Sequence, residues 1–470
     1  MKSFTIRQII EATKGQLLTS SSMDLDAEVS GVSTDTRTIN KGELFIPLVG
    51  EIFDGHYFLD KAIEKGASAI LIHRDDADFL PELFPQVAVI KVADTLRALQ
   101  DLAAFQRSRF NIPVVAVTGS NGKTTTKDMI ALVLSEKYKV LKTQGNLNNE
   151  IGLPLTLLGL EDDHEVAVVE MGMNHLGEIH RLAEIAKPNI GIITNIGVSH
   201  IQNLGTRENI LKAKMEIFDF FTSEDNAILN GDDEYLSKIT GELPFQIKYY
   251  GTKDIAGIRA ENIRLLGEQG ISYDLKIGDK MYPIEISIPG KHNVYNSLAA
   301  AAVGNLMGIG LPDIAKSLKS YRSGDMRLNI FSIDNNIKVI DDVYNASPDS
   351  MKAAIEILKD LGEGRKIAIL GDMLELGDYS QKAHTEVGET VAHKGIDILI
   401  TVGKESKFIG AGARNCAMDN QSIIHLECNK DVIEYLDTFI EQGDKILVKG
   451  SRGMKMEEIV DYLRSLGKGQ

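Results

Sequence analysis

Along the chain, short apolar runs bounded by Gly and polar residues alternate with longer segments whose apolar positions recur every third or fourth residue. The first pattern is that of buried strands and the second that of amphipathic helices, so their alternation predicts an α/β architecture. Residues 42–48 and 69–73 predict strands with a helix at 58–65 between them, a small α/β unit. Polar and basic residues at 106–111 then give way to Pro113 and the apolar run 114–117, where a second domain is expected to begin. Its strands recur at 166–169 and 190–194, separated by helical segments, as in a parallel sheet with crossover helices. An Ala-rich helix at 293–308 is expected to close that domain. A third series of strands, at 337–340, 366–370, 398–402 and 445–448, is again spaced by helices and predicts a doubly wound, Rossmann-like sheet. The expected division is residues 1–109, 110–318 and 319–470. Three domains suit a chain of 470 residues, because domains run to roughly 150 residues each.

Composition narrows the partners. With 43% hydrophobic and 25% charged residues the chain is that of a soluble globular protein. A formal charge of −16 lacks the clustered Lys and Arg that phosphate backbones attract, so no nucleic-acid partner is expected. Cys416 and Cys428 are the only cysteines, too few and too far apart for a disulfide framework or zinc site, which fits a reducing compartment. The N-terminal segment carries Arg7 inside its apolar pattern and no small-residue cleavage site, so it does not read as a signal peptide. The richest apolar stretch, 298–303, is far shorter than the ~20 residues a membrane span needs. A cytoplasmic chain, not inserted in a membrane and acting as a monomer, is expected.

Candidate chemistry enters at residues 114–119, a strand that runs straight into Ser120-Asn121-Gly122-Lys123-Thr124 with a helix expected from 125 to 136. Strand, Gly-rich turn and helix form the context of a phosphate loop. Gly119 and Gly122 let backbone N–H groups turn toward phosphate oxygens, the helix N-terminus adds partial positive charge, and Lys123 can reach the β and γ phosphates. The Thr124 hydroxyl suits Mg²⁺, and Thr125 follows it into the helix. The common form of this loop begins with Gly at position 117; Val117 stands there, leaving the shorter G-x-x-G-K-T. Glu170 ends the strand at 166–169 and offers a hard oxygen ligand at the sheet edge where ligands of open α/β sheets bind. His200 follows the next strand and can reach the same edge; taken alone, such a histidine is as readily structural.

Further motifs lie in a telling order. They are Gly145-Asn146-Leu147-Asn148-Asn149-Glu150-Ile151-Gly152 with Pro154, Glu170-Met171-Gly172, Asn174 with Gly177-Glu178-Ile179, Ser199-His200, Lys212-Ala213-Lys214, His292-Asn293 with Asn296, Asp341-Asp342-Val343-Tyr344-Asn345, Gly371-Asp372-Met373 and Lys449-Gly450-Ser451-Arg452. Near the N-terminus stand Ser33-Thr34-Asp35-Thr36-Arg37, Gly50 and Asp54-Gly55-His56. With the shortened phosphate loop, these resemble the Mur ligase family over essentially the whole chain. The 145–152 stretch resembles most the branch that adds D-alanyl-D-alanine to a UDP-N-acetylmuramoyl-tripeptide.

The resemblance implies an ATP-dependent ligase of peptidoglycan synthesis that forms an amide bond through an acyl phosphate, with Mg²⁺ as cofactor. It implies a UDP-binding N-terminal domain, a central ATPase-like parallel sheet and a C-terminal domain that closes over ATP. For the nucleotide it implies Gly119, Ser120, Asn121, Gly122, Lys123, Thr124 and Thr125 at the phosphates. Asn293 and Asn296 fall to the adenine, Arg327 to a phosphate and Asp342 to the ribose. Thr124 and Glu170 fall to Mg²⁺, His200 to a second metal ion and Lys214 to metal as a carbamate formed with CO₂, although Lys212 is a rival for that role. Ser33, Thr36, Arg37 and Gly50 are implied at the UDP moiety, where hydroxyls and a guanidinium suit uracil and diphosphate. Asn148, Asn149, Asn174, Tyr344 and Asn345 are implied at the substrates. Lys449 and Arg452 are expected to open the last helix and meet the dipeptide carboxylate.

The rivals are a sister ligase adding meso-diaminopimelate, a folylpolyglutamate synthase, and a GTPase-type switch. The Asn148-Asn149 motif and the UDP region argue against the first two. The third needs a guanine-reading N-K-x-D after the phosphate loop, whereas Asn40-Lys41-Gly42-Glu43 precedes it and ends in Glu.

Overall fold

The structure, a computed structural model, describes residues 1–19, 23–75, 80–239, 243–324 and 326–467. Its strands form sheets of two, five, nine and six strands in an α/β arrangement. The nine-stranded sheet runs in the order Lys280–Ile286, Ile271–Ile277, Ile258–Leu265, Gln246–Gly251, Asn226–Asn230, Ile190–Ile193, Val114–Thr118, Val166–Glu170, Val140–Lys142. Val114–Thr118 and Val166–Glu170 are buried at every position. Such runs of β-branched residues are what a parallel strand covered by helices on both faces requires.

Val114–Thr118 is flanked by two strands that come later in the chain. Glu170 pairs with Val117 on one side and Ile193 with Thr118 on the other, all parallel. The crossovers leave to opposite sides, which makes the C-terminal end of this strand a topological switch point and opens a crevice there. The phosphate-loop segment, Glu170 and the 194–200 loop all emerge at that end.

The middle sheet is mixed rather than parallel throughout. Ile258–Leu265, Ile271–Ile277 and Lys280–Ile286 form an antiparallel meander at one edge. Ile271, Tyr273 and Leu275 are buried while the residues between them are not, the alternation of a sheet with one wet face. The Ala-rich helix, His292–Leu306, does not close this part of the chain. A further helix, Leu311–Ser320, follows and packs on Lys280–Ile286 and on the helix after the phosphate loop. The predicted strand at 42–48 reduces to Leu44–Phe45.

The N-terminal five-stranded sheet shares its core with the middle sheet. Leu99 and Leu102 of helix Thr95–Ser108 belong to one buried cluster with Leu153, Leu157 and Leu182. Gln106, fully buried, donates to the Leu160 carbonyl at 3.2 Å across this junction. The six-stranded C-terminal sheet runs Asn329–Ile333, Ile337–Asp341, Lys445–Lys449, Lys366–Gly371, Ile398–Val402, Ile423–Leu426, antiparallel only at its first pair.

Candidate active site

A cleft of about 780 Å³ opens at the switch point, between the middle sheet and the C-terminal sheet. Its wall includes Ser120 to Thr125, Asn148, Glu170, His200, Asn293, Asn296, Arg327, Asp342 and Tyr344.

At its floor the chain turns at Gly119 and Gly122 into helix Lys123–Leu134, which begins two residues before the expected start. Gly122 has φ +80°, and a Cβ there would come within 2.6 Å of Asn296 Oδ1. Only glycine fits that left-handed, crowded position. Asn195 holds the loop from the side: its Oδ1 accepts from the Asn121 N–H at 3.0 Å and its Nδ2 donates to the Asn121 carbonyl at 3.0 Å. Lys123 Nζ folds back to donate to the Gly119 carbonyl at 2.9 Å. Desolvation pulls its ammonium below the ordinary lysine range, and Glu170 opposes that shift.

Glu170 is 1% exposed, and both carboxylate oxygens are engaged. The Thr124 hydroxyl donates to one at 2.8 Å and Asn148 Nδ2 to the other at 2.7 Å. The Glu170 N–H donates to the Thr143 hydroxyl, and the Thr143 carbonyl accepts from the buried Lys127 ammonium at 2.8 Å. A buried carboxylate with every acceptor supported is held in a single orientation.

Lys214, on helix Arg207–Met215, is 2% exposed, whereas Lys212 is exposed. Burial first, then repulsion from Lys123, lowers its pKa well below 10.5. No hydrogen bond or ion pair to it is found among the described residues. His200 Nδ1 lies 2.8 Å from Glu375 Oε2 of the C-terminal part, with its N–H off the line a hydrogen bond needs.

The two asparagines on helix His292–Leu306 are buried rather than solvated. Asn296 accepts from the Thr126 hydroxyl at 3.1 Å and donates to Asn293 Oδ1 at 2.9 Å, and Asn293 donates to the Pro289 carbonyl at 2.7 Å. One of these three bonds, Thr126 to Asn296, ties this helix to the phosphate-loop helix. His292 beside them has its pKa lowered to about 4 by desolvation.

From the C-terminal side, Arg327 stacks on Tyr344, its guanidinium 3.8 Å from the ring centroid. Asp342 accepts from the Leu328 N–H and, at 2.5 Å, from the Lys449 ammonium, which also donates to the Asn345 carbonyl. Lys449 therefore ends a strand, buried and paired. Arg452 lies in the turn Arg452–Met454, and the last helix starts only at Glu457. Neither residue opens that helix, because Ser451 and Lys455 break the backbone between them and it.

The N-terminal residues stand apart. Ser33, Thr36, Arg37 and Gly50 do not line this cleft. The Ser33 hydroxyl donates to the Asp35 carbonyl, and Arg37, 83% exposed, pairs with Asp35 at 2.6 Å. Asn149 lines the cleft, yet its Oδ1 accepts from the Gly152 N–H at the start of helix Gly152–Leu158. Asn174 lines the cleft with its own N–H bonded to Glu178.

Sequence reasoning did not single out Asn195, Ser347 or Glu375. Ser347 donates to Asn121 Oδ1 at 2.7 Å, joining the C-terminal part directly to the phosphate loop. Its Ser-Pro-x-Ser run is a legible helix start, since Ser347 caps helix Pro348–Lys359; nothing local marks the partner it meets.

Comparison with known proteins bears on the whole chain. Residues 28–107, 117–304 and 326–452 match models described as Mur ligase family, catalytic domain; Mur ligase middle domain; and Mur ligase, glutamate ligase domain. The chain belongs to the Mur ligase family. A Bacillus subtilis relative named UDP-N-acetylmuramoyl-tripeptide–D-alanyl-D-alanine ligase is 42% identical over 460 residues, 98% of each chain. Among solved structures, MurF from Acinetobacter baumannii superposes with a TM-score of 0.89 at 32% identity over 99% of each chain. MurF ligase from Thermotoga maritima, solved in complex with ADP, gives 0.82 at 27% identity, covering 94% of this chain and 98% of that one. The cleft joins a phosphate loop to a supported carboxylate, and the buried Lys214, which is not among the residues lining the cleft, lies close enough to feel the charge of Lys123.

Proposed function

We propose that this Mur ligase joins D-alanyl-D-alanine to a UDP-N-acetylmuramoyl-tripeptide with ATP, releasing ADP and phosphate, in peptidoglycan precursor synthesis. The observation that carries this reading is likeness along 98% of both chains to an enzyme of that name. The proposal assigns residues 1–109 to the UDP moiety, 110–318 to ATP and 319–470 to closure over ATP and to the dipeptide. It has the chain act in the cytoplasm as a monomer.

An amine and a carboxylate do not condense at neutral pH until the carboxylate is made a better electrophile. The terminal tripeptide carboxylate attacks the γ phosphorus, the bond to ADP breaks, and an acyl phosphate forms. The dipeptide amine then attacks the acyl carbon and phosphate leaves. Two anions meet in the first step, so the site has to neutralise charge. Lys123 supplies a cation and the loop N–H groups supply dipoles, while Arg327 approaches from the opposite wall.

The donor set suits Mg²⁺, because Thr124 and Glu170 already place a hydroxyl and a carboxylate in contact as hard oxygen ligands. Bound there, with a second ion held by His200, it would offset charge on the transferring phosphoryl group. Lys214 as an ammonium does not belong in such a set. Burial lowers the pKa of its amine well below the ordinary lysine value, which favours the neutral form, and a neutral amine adds to CO₂: the N–C bond forms, a proton leaves, and an anionic carbamate results. This supports the carbamate reading of Lys214 over Lys212. Lys214→Ala is expected to lose activity and regain part of it with an added short-chain carboxylic acid; full activity without the additive refutes the carbamate.

The reaction is tested by measuring ADP release with UDP-N-acetylmuramoyl-tripeptide, with and without D-alanyl-D-alanine. The expected result is release that depends on the dipeptide and yields a UDP-linked pentapeptide. Release indifferent to the dipeptide overturns the assignment.

A further inference from the structure

The C-terminal part packs along the 194–200 loop and helix Ile201–Leu204, with Asp349 close to Gly197 and Val198 against its apolar cluster, and at one of these contacts both residues that touch hold an unfavourable backbone. His200 has φ 63° and Glu375 has φ 63°, neither being glycine. Left-handed backbone at a non-glycine residue persists only where its surroundings impose it, and it clusters at functional sites. The side chains face each other, His200 Nδ1 lying 2.8 Å from Glu375 Oε2. The backbones meet as well: the Gln202 N–H donates to the Glu375 carbonyl at 3.4 Å. Gly377 lies so close to Gln202 that a Cβ on it would approach the Gln202 side chain to 3.1 Å. Both His200 and Glu375 line the cleft.

We infer that Glu375 is a positioning residue, which orients the His200 imidazole from across the domain junction and so makes the metal affinity of the site depend on docking of the C-terminal part. The inference rests on the reading of His200 as a metal ligand. A carboxylate on one ring nitrogen fixes the tautomer and leaves the other nitrogen to ligate, the arrangement that supports metal-bound histidines generally. Here the carboxylate engages Nδ1, which leaves Nε2. The N–H lies off line with the carboxylate, so the positioning role requires the ring to turn toward Glu375 when the metal is bound. Glu375 itself is mostly exposed, 59% for its side chain. Its removal therefore leaves no hole in the core, and the effect of a substitution reports orientation rather than folding.

The test is Mn²⁺ affinity of the full chain with ADP present, read by electron paramagnetic resonance as free Mn²⁺, for Glu375→Ala, Glu375→Gln and His200→Ala. Thermal unfolding of each variant is followed in parallel. Glu375→Ala is expected to weaken Mn²⁺ binding about tenfold or more with an unchanged unfolding temperature, and Glu375→Gln, which keeps an acceptor oxygen, to retain part of the affinity. His200→Ala is expected to weaken it at least as much. Wild-type Mn²⁺ affinity in Glu375→Ala alongside loss in His200→Ala overturns the positioning role and leaves the ligand reading standing. Wild-type affinity in His200→Ala overturns both. A lowered unfolding temperature in Glu375→Ala matched by an equal loss in Glu375→Gln also overturns it, because the residue is then structural.

Discussion

The phosphate edge of the middle sheet and the N-terminal turn at 33–37 are built on opposite plans. At the phosphate edge, polar side chains from distant segments interlock below the surface. Thr124 and Asn148 hold Glu170, Asn195 holds Asn121, and Ser347 reaches Asn121 from 226 residues away in sequence. In the N-terminal turn the side chains bond mostly to one another, Ser33 to the Asp35 carbonyl and Arg37 to the Asp35 carboxylate, and the more distant Lys65 ammonium reaches only the Arg37 carbonyl, at 3.2 Å. Val49, Ile52 and Phe53 nearby are exposed, Ile52 fully so. A centre that must stabilise developing charge needs its dipoles fixed and dry before the reaction. A surface that only recognises a ligand can leave its cation in water, where holding it costs little, and draw its energy from the ligand.

The largest test of that contrast is Lys123→Ala. It removes a cation from the preorganised edge, and kcat should fall about 10³-fold while unfolding temperature barely moves. A fall of less than tenfold breaks the claim that charge neutralisation resides there. Gly122→Ala comes next. The added methyl must displace Asn296 and adopt φ +80°, shifting the loop, and a misplacement on the order of 1 Å lowers turnover about 10²-fold. Near-normal kcat in this variant shows the edge to be softer than its packing implies.

Acid titration separates the regions in a different way. His292, held at about 4 against an ordinary 6.5, binds fewer protons folded than unfolded between those values. Stability contributed by this residue is complete above pH 6.5 and declines as pH falls through the window toward 4. About 1 to 2 kcal/mol is at stake once solvent access from the cleft is allowed for, and His292→Asn should flatten that slope in denaturant titrations. Asp35 has no such window near neutrality. Its pKa is lowered to about 2, first by the Arg37 side chain, so what it contributes persists above its ordinary 3.8 and fades only as pH drops through 2. A slope between pH 6.5 and 4 that survives His292→Asn places the titrating group elsewhere.

What the chain disclosed in advance follows the same division. Strands at 114–117, 166–169 and 190–194 were legible because strands buried on both faces are continuous apolar runs. The antiparallel meander from Ile258 to Ile286 was legible but missed: its strands alternate apolar and polar residues, and the two-residue Gly278-Asp279 turn joins the last pair as a hairpin. The phosphate loop was legible because its glycines and lysine are neighbours in sequence. Lys214 is a harder case: the neighbouring Glu216-Ile217-Phe218 favoured it over Lys212, but its residue type said nothing of burial, and the fold separates the two by tucking one face of Arg207–Met215 inward. Asn148 illustrates the limit. Its motif marked it for substrate, and the fold adds a role the motif does not show, support of Glu170 by its amide. Partners such as Ser347 and Glu375 were illegible because contacts across domains leave no periodicity in either segment.

The smallest expected effect lies in the N-terminal turn, and it bears most directly on the recognition half of the contrast. Arg37 is exposed and bonded to Asp35, so Arg37→Ala should leave the unfolding temperature unchanged. If the guanidinium meets the UDP diphosphate, its loss removes binding shared equally by ground state and transition state. KM for the UDP-linked substrate then rises about tenfold, while kcat and KM for ATP stay put. Because Asp35 remains charged through neutrality, that KM difference should be constant from pH 6 to pH 8 on the same grounds. A drop in kcat instead would mean that the turn reaches the reacting atoms, and the division between a preorganised centre and a local recognition surface would fail.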